Sequence, residues 1–194
     1  MLTVAGTGCG GSTGTTGADG GTDGADDGRN DGGGPSILAP AGDTAIANPV
    51  DGIQCDVSEQ LVFHIHAHLD IFVDGVQKLL APGIGIGPPL VFQSGFVTSG
   101  SCFSWLHTHD ETGVIHIESP VQRVYTLGNF FDIWGLPLSA TEVGPAHGKV
   151  SAFLNGKSFK GDPRAIPLAA HNLIQLDVGK PVVAPQPYTF PAGL

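Results

Sequence analysis

Six of the eight histidines fall in two short strings, His64, His66, His68 and His107, His109, His116. Neutral imidazole is a common ligand for transition metals. Strand residues i and i+2 point to one face about 6.5 Å apart, close enough for two imidazoles to converge on one ion. A third ligand then comes from a neighbouring strand, as in three-histidine zinc sites. The second string can supply all three. If 110–113 is a four-residue loop with Gly113 left-handed, His109 pairs with Val114 and His107 lies opposite His116. Opposed side chains share a face about 5 Å apart, and Glu118 lies two residues further along that face. A three-residue loop with a glycine bulge would turn His116 to the other face, and the sequence leaves both registers open. In the first string His64 and His68 are about 13 Å apart, so the usable pair is His64 with His66 or His66 with His68. The candidate metal ligands are therefore His64, His66, His107, His109 and His116. His147 lies in a Gly/Pro loop and His171 in a turn, and both read as surface residues.

Other chemistry is weakly signalled. Glu118 or Asp110 could serve as a base, a ligand or a partner orienting an imidazole. Ser104 and Ser119 have no setting that suggests a Ser/His/Asp hydrolase. Gly83, Gly85 and Gly87 lie among prolines with no helix pattern after them, unlike a phosphate-binding loop. Phe103, Trp105, Phe130, Phe131 and Trp134 read as core rather than as a sugar platform. Met1 is the only methionine, which disfavours a blue-copper site, so an imidazole set points to copper or zinc.

Strands must carry these ligands. Over 61–73 the chain alternates, with Phe63, Ile65, Ala67, Leu69, Ile71 and Val73 on one side and His64, His66, His68 and Asp70 on the other. Asp74-Gly75 marks a hairpin turn, with 76–80 returning. The Pro/Gly-rich 81–89 reads as loop, and 90–97, 102–110, 114–118 and 121–127 as strands. The one short helix is expected over 128–134, with Thr126 as its N-cap. Asn155-Gly156 joins 149–154 to 157–160 in the clearest hairpin, 173–178 is a last strand, and the Pro-rich 181–194 runs extended over the surface. The fold class is all-β, a sandwich or barrel of short antiparallel strands with at most one short helix.

The chain has 194 residues, room for one domain and a tail. Residues 37–194 form the expected β domain. Residues 1–36 are an expected lipoprotein-type signal remnant and a Gly/Thr/Asp tether too poor in apolar groups to offset its ordering entropy. Small residues before Cys9 resemble a lipoprotein processing site, making Cys9 the position of a possible lipid anchor, although Gly6 stands where Leu or Val is usual. With Cys9 lipidated, Cys55 and Cys102 are left as a pair. A disulfide in an oxidising, extracytoplasmic compartment is the favoured reading, with free thiols or thiolate ligands as alternatives. A net charge of -10 disfavours nucleic acid as a partner.

Phe63-His-Ile-His-Ala-His-Leu69, Trp105-Leu-His-Thr-His-Asp110, Gly113-Val-Ile-His-Ile-Glu-Ser119 and the ending Phe190-Pro-Ala-Gly-Leu194 resemble an uncharacterised family of exported bacterial and archaeal proteins. The resemblance spans most of 53–194 and implies a secreted or anchored β domain, with no activity attached. Cupins also use His-x-His on a strand followed by a Glu, but neither string here has the Glu at that distance. Three functions fit: extracellular capture or delivery of copper or zinc, a metalloenzyme with an open coordination position, or a carbohydrate- or partner-binding module without metal.

Overall fold

Asp74-Gly75 and Asn155-Gly156 both take positive φ at both residues (49° and 79°, 50° and 75°), the conformation that closes tight two-residue hairpins. These turns join β3 (Phe63–Val73) to β4 (Val76–Leu79) and β13 (Val150–Leu154) to β14 (Lys157–Phe159). The structure is a computed structural model that describes residues 35–42 and 49–194. Cys9 and most of the expected tether lie outside the described residues.

The remaining strands of the main sheet are β1 (Ser36–Ile37), β8 (Leu106–His107), β9 (Val114–Ser119) and β15 (Leu173–Val178). Their order runs β1-β4-β3-β15-β13-β14, with β9 on the same edge of β3 as β4, and β8 outside β9. One edge of β3 is thus shared. Residues 63–68 pair with β9 and residues 71–73 with β4. The sheet is open, so the sandwich alternative holds over the barrel. Two pairings depart from the antiparallel expectation, since β15 runs parallel to β3 and β1 parallel to β4.

Smaller sheets flank this one. They are β2 (Cys55–Asp56) with β7 (Phe103–Ser104), β5 (Val91–Gln93) with β6 (Phe96–Ser99), and the meander β10 (Leu138–Ser139), β11 (Glu142–Val143), β12 (Ala146–His147). The expected strand over 90–97 is therefore a hairpin, turned by Ser94 and Gly95 at positive φ. The expected strand over 102–110 is two short pieces on either side of Trp105, β7 pairing β2 and β8 pairing β9, and it ends at His107, because the Thr108 backbone bonds Ile84 and Gly83 instead. Residues 121–125 form no strand, and only Thr126 makes a single bridge, to Pro167. Cys55 and Cys102 form a disulfide beside the β2–β7 pairing.

The helix α1 (Leu127–Trp134) starts where expected. Thr126 caps it, its side chain accepting from the Asn129 N–H while Asn129 reaches back to the Thr126 N–H. Leu127, Phe130, Phe131, Ile133 and Trp134 belong to the same core as Ala67, Leu69 and Ile71 of β3, Ile115 and Ile117 of β9, and Ile174, Leu176 and Val178 of β15. Strand alternation sends their neighbours to the opposite face, which is polar yet also buried: His66, His68, Asp70, His116, Glu118, Gln175 and Asp177. The C-terminal segment covers part of that face, as its extended course predicted. The Val183 N–H donates to Asp177, the Gln186 N–H donates to Gln175, and the Tyr188 ring stacks on His68 at 3.6 Å.

Candidate metal centre

The site grows from strand register. His66 on β3 lies directly opposite His116 on β9, and His116 lies directly opposite His107 on β8, so three histidines form one row across three adjacent strands. Of the two registers open for the second string, this is the one that faces His107 to His116. Gly113 takes a φ of 88° before β9. Two residue pairs along, and so on the same face, His64 stands opposite Glu118. The expected pairing of His109 with Val114 is not made, because the β8–β9 ladder ends at His107 and Val114 pairs with His68. His109 is held instead by β6, through Val97 N–H donating to the His109 carbonyl.

His107 and His109 are fixed at their other ring nitrogen. His107 Nδ1–H donates to Ser104 O at 2.8 Å, and His109 Nδ1–H donates to Val97 O at 2.6 Å. A carbonyl only accepts, so each neutral ring carries its proton on Nδ1 and presents a bare Nε2 lone pair. The two Nε2 atoms face each other at 3.0 Å. Burial, then the neighbouring His109 and His116, push the His107 pKa down to about 3, and burial also lowers that of His109. Two bare lone pairs in contact repel unless a cation lies between them. Nitrogens bound at about 2.0–2.1 Å to one ion are about 2.9 Å apart at a right angle and about 3.4 Å at the tetrahedral angle. The observed separation falls in that range. The Phe96 ring stacks on His109 at 4.4 Å and holds its plane.

The first string contributes a matching pair. His64 Nε2 and His66 Nε2 are 3.0 Å apart. His66 is buried and its pKa is lowered to about 4, by burial first and then by His116 and His64. His64 is 37% exposed and sits at the solvent side. His68 is excluded. Its Nε2–H donates to Thr112 O at 2.8 Å, its Nδ1 faces Asp70, and Tyr188 covers the ring, so the pair is His64 with His66.

Glu118 lies between the two pairs. Its Oε1 is 3.1 Å from His64 Nε2 and 3.2 Å from His116 Nδ1, while its Oε2 is 3.9 Å from His107 Nε2. Burial alone would raise its pKa, but the His116 hydrogen bond and the electrostatic influence of the surrounding imidazoles outweigh it and hold the carboxyl below its usual value. It is thus an ionised, buried acceptor. Oε2 is the one buried side-chain polar atom among the described residues without a hydrogen-bond partner. Such an orphan is costly unless something compensates it. Glu59, 37% exposed, approaches His109 Nε2 at 3.4 Å, and burial followed by Glu118 raises its pKa.

The potential ligand atoms fall into three overlapping sets, each within 4.8 Å: His64, His66, His116 and Glu118; His107, His109 and His116; and Glu59, His107 and Glu118. All five histidines expected from the sequence lie in these sets. Glu118 was foreseen without an assigned role. Glu59 was not foreseen, because it comes from a loop whose placement has no local pattern. His147 and His171 are exposed and lie outside the sets, His171 receiving the end of the chain through Leu194 O at 3.0 Å and the Phe190 ring. No protein-family model, no curated protein and no solved structure matches this chain.

Proposed function

We propose that this is an exported metal-binding protein whose buried histidine centre takes up copper or zinc at the cell exterior. The observation that carries this reading is the facing of His107 Nε2 and His109 Nε2 at 3.0 Å with both Nδ1 protons committed to backbone carbonyls. Buried groups are not ordinarily arranged with acceptors turned toward each other. The donor set is imidazole and carboxylate, with both described cysteines held in a disulfide, and this suits copper(II) or zinc over metals that need thiolate. The disulfide supports the exported setting. No helix among the described residues is long and apolar enough to cross a membrane.

Capture or delivery fits the ligand-dense interior. A metalloenzyme is the second reading, and Glu59 favours it: a half-exposed carboxyl with a raised pKa beside the histidines is suited to proton transfer at the mouth of the site. A titration decides the primary reading. Metal-free protein should bind copper(II) or zinc tightly, and the His107→Ala/His116→Ala double variant should take up less metal than wild type while keeping its strand content by circular dichroism. Undiminished uptake and affinity in a folded double variant would sink the assignment.

A further inference from the structure

Two ligand pairs share one face, and one carboxylate stands between them. His64 and His66 present facing Nε2 atoms at 3.0 Å, as do His107 and His109. Glu118 turns Oε1 toward the first pair, 3.1 Å from His64, and Oε2 toward the second, 3.9 Å from His107. Row geometry separates the pairs. His66 and His107 sit on strands two places apart, roughly 9–10 Å between backbones, with β9 between them. Nitrogens on a single ion can be no more than about 4.2 Å apart even when trans, and among the described residues no set of ligand atoms lying within 4.8 Å of one another holds a histidine of both pairs, so one ion does not serve both.

Resting on the metal-binding reading above, we propose that the centre is dinuclear, with Glu118 bridging two divalent transition-metal ions. One ion takes His64, His66 and Glu118 Oε1. The other takes His107, His109 and Glu118 Oε2, with Glu59 reaching it from the rim. His116, common to two of the ligand sets and hydrogen-bonded to Glu118 through Nδ1, stands beside both. The bridge accounts for the orphaned Oε2, which faces the second pair with no hydrogen-bond partner. A carboxylate with one oxygen on each ion is suited to metal pairs about 3.5–4 Å apart.

The test is a copper(II) titration of the metal-free chain followed by electron paramagnetic resonance. The proposal expects saturation at two equivalents. The spin signal should rise with early additions and fall short of two isolated ions at saturation, through coupling across the bridge. His64→Ala, at the partly exposed rim and so of low risk to the fold, should saturate at one equivalent with an uncoupled signal. Glu118→Gln should abolish the coupling. Saturation of the wild type at one equivalent would overturn the two-ion proposal and leave the metal-binding reading standing. Two equivalents with the full signal of isolated ions would overturn the bridge. No uptake at all would overturn both.

Discussion

At the residue scale, the centre depends on histidines kept neutral. His107 and His66 have pKa values lowered to about 3 and about 4 from an ordinary 6.5, chiefly by burial. In the unfolded chain both protonate as pH falls through 6.5, while in the folded chain they resist. The unfolded state therefore binds more protons between pH 6.5 and about 3, and stability falls as pH falls through that window. Glu118, with its pKa held low, acts in the same direction below about pH 4.5. The metal-free protein is expected to have a flat melting temperature above pH 6.5 and a declining one from there to pH 4, measured by calorimetry at fixed ionic strength. A melting temperature that rises on acidification would contradict the neutral assignment. The facing of His107 and His116, with Glu118 two residues on, was legible as one of two registers because strand spacing is short-range geometry, but the choice between them was not, since it depends on the loop that joins the strands. Glu59 was not, since a loop acid reaches the site only through tertiary contacts.

At the element scale, the site depends on how β8 is held. Gly85, at a φ of 75°, packs so closely that an added Cβ would collide with the Leu106 carbonyl and lie 3.2 Å from His107 Cβ. Gly85→Ala should cost about 1–3 kcal/mol through strain and clash, and should weaken metal binding by displacing His107. Denaturant unfolding and metal titration check the two effects. Unchanged affinity would show that the loop does not position the ligand. The disulfide anchors the neighbouring β2–β7 pair and closes a separation of 47 residues. Cys55→Ser/Cys102→Ser should lower stability by about 2–4 kcal/mol, and a melting temperature within a degree of wild type would contradict that role. The two hairpins, α1 and the alternation of β3 were legible because each is written in adjacent residues, Asp74-Gly75, Asn155-Gly156 and the Thr126/Asn129 box. The parallel pairing of β15 with β3 was not, because it joins residues about a hundred positions apart by matching buried faces. The end of β8 before Thr108 also escaped sequence reading, as it depends on the Ile84 loop meeting that residue.

At the scale of the whole molecule, the main sheet has an apolar face against α1 and a buried polar face in two regions. The histidine centre occupies one. The other is the Asp70, Gln77, Gln175 and Asp177 network beneath the C-terminal segment, with Gln77 donating to Asp70 and Gln175 to Asp177. Extended alternation revealed this second face, but not that it would be buried. Deleting the segment from Pro181 onward should expose Asp70, Phe72 and Asp177 and remove the bonds from Val183 and Gln186, each worth about 0.5–1.5 kcal/mol. A lower melting temperature with unchanged metal stoichiometry is the expected result. Loss of metal together with the segment would show the two regions to be one unit.

The central claim is that the histidine centre holds a transition metal in the protein as the cell makes it. Elemental analysis of the untagged chain, purified without chelators from the cells that make it, tests this most directly. The account predicts copper or zinc at one equivalent or more per chain. A chain that carries no transition metal and takes none up on titration would contradict it.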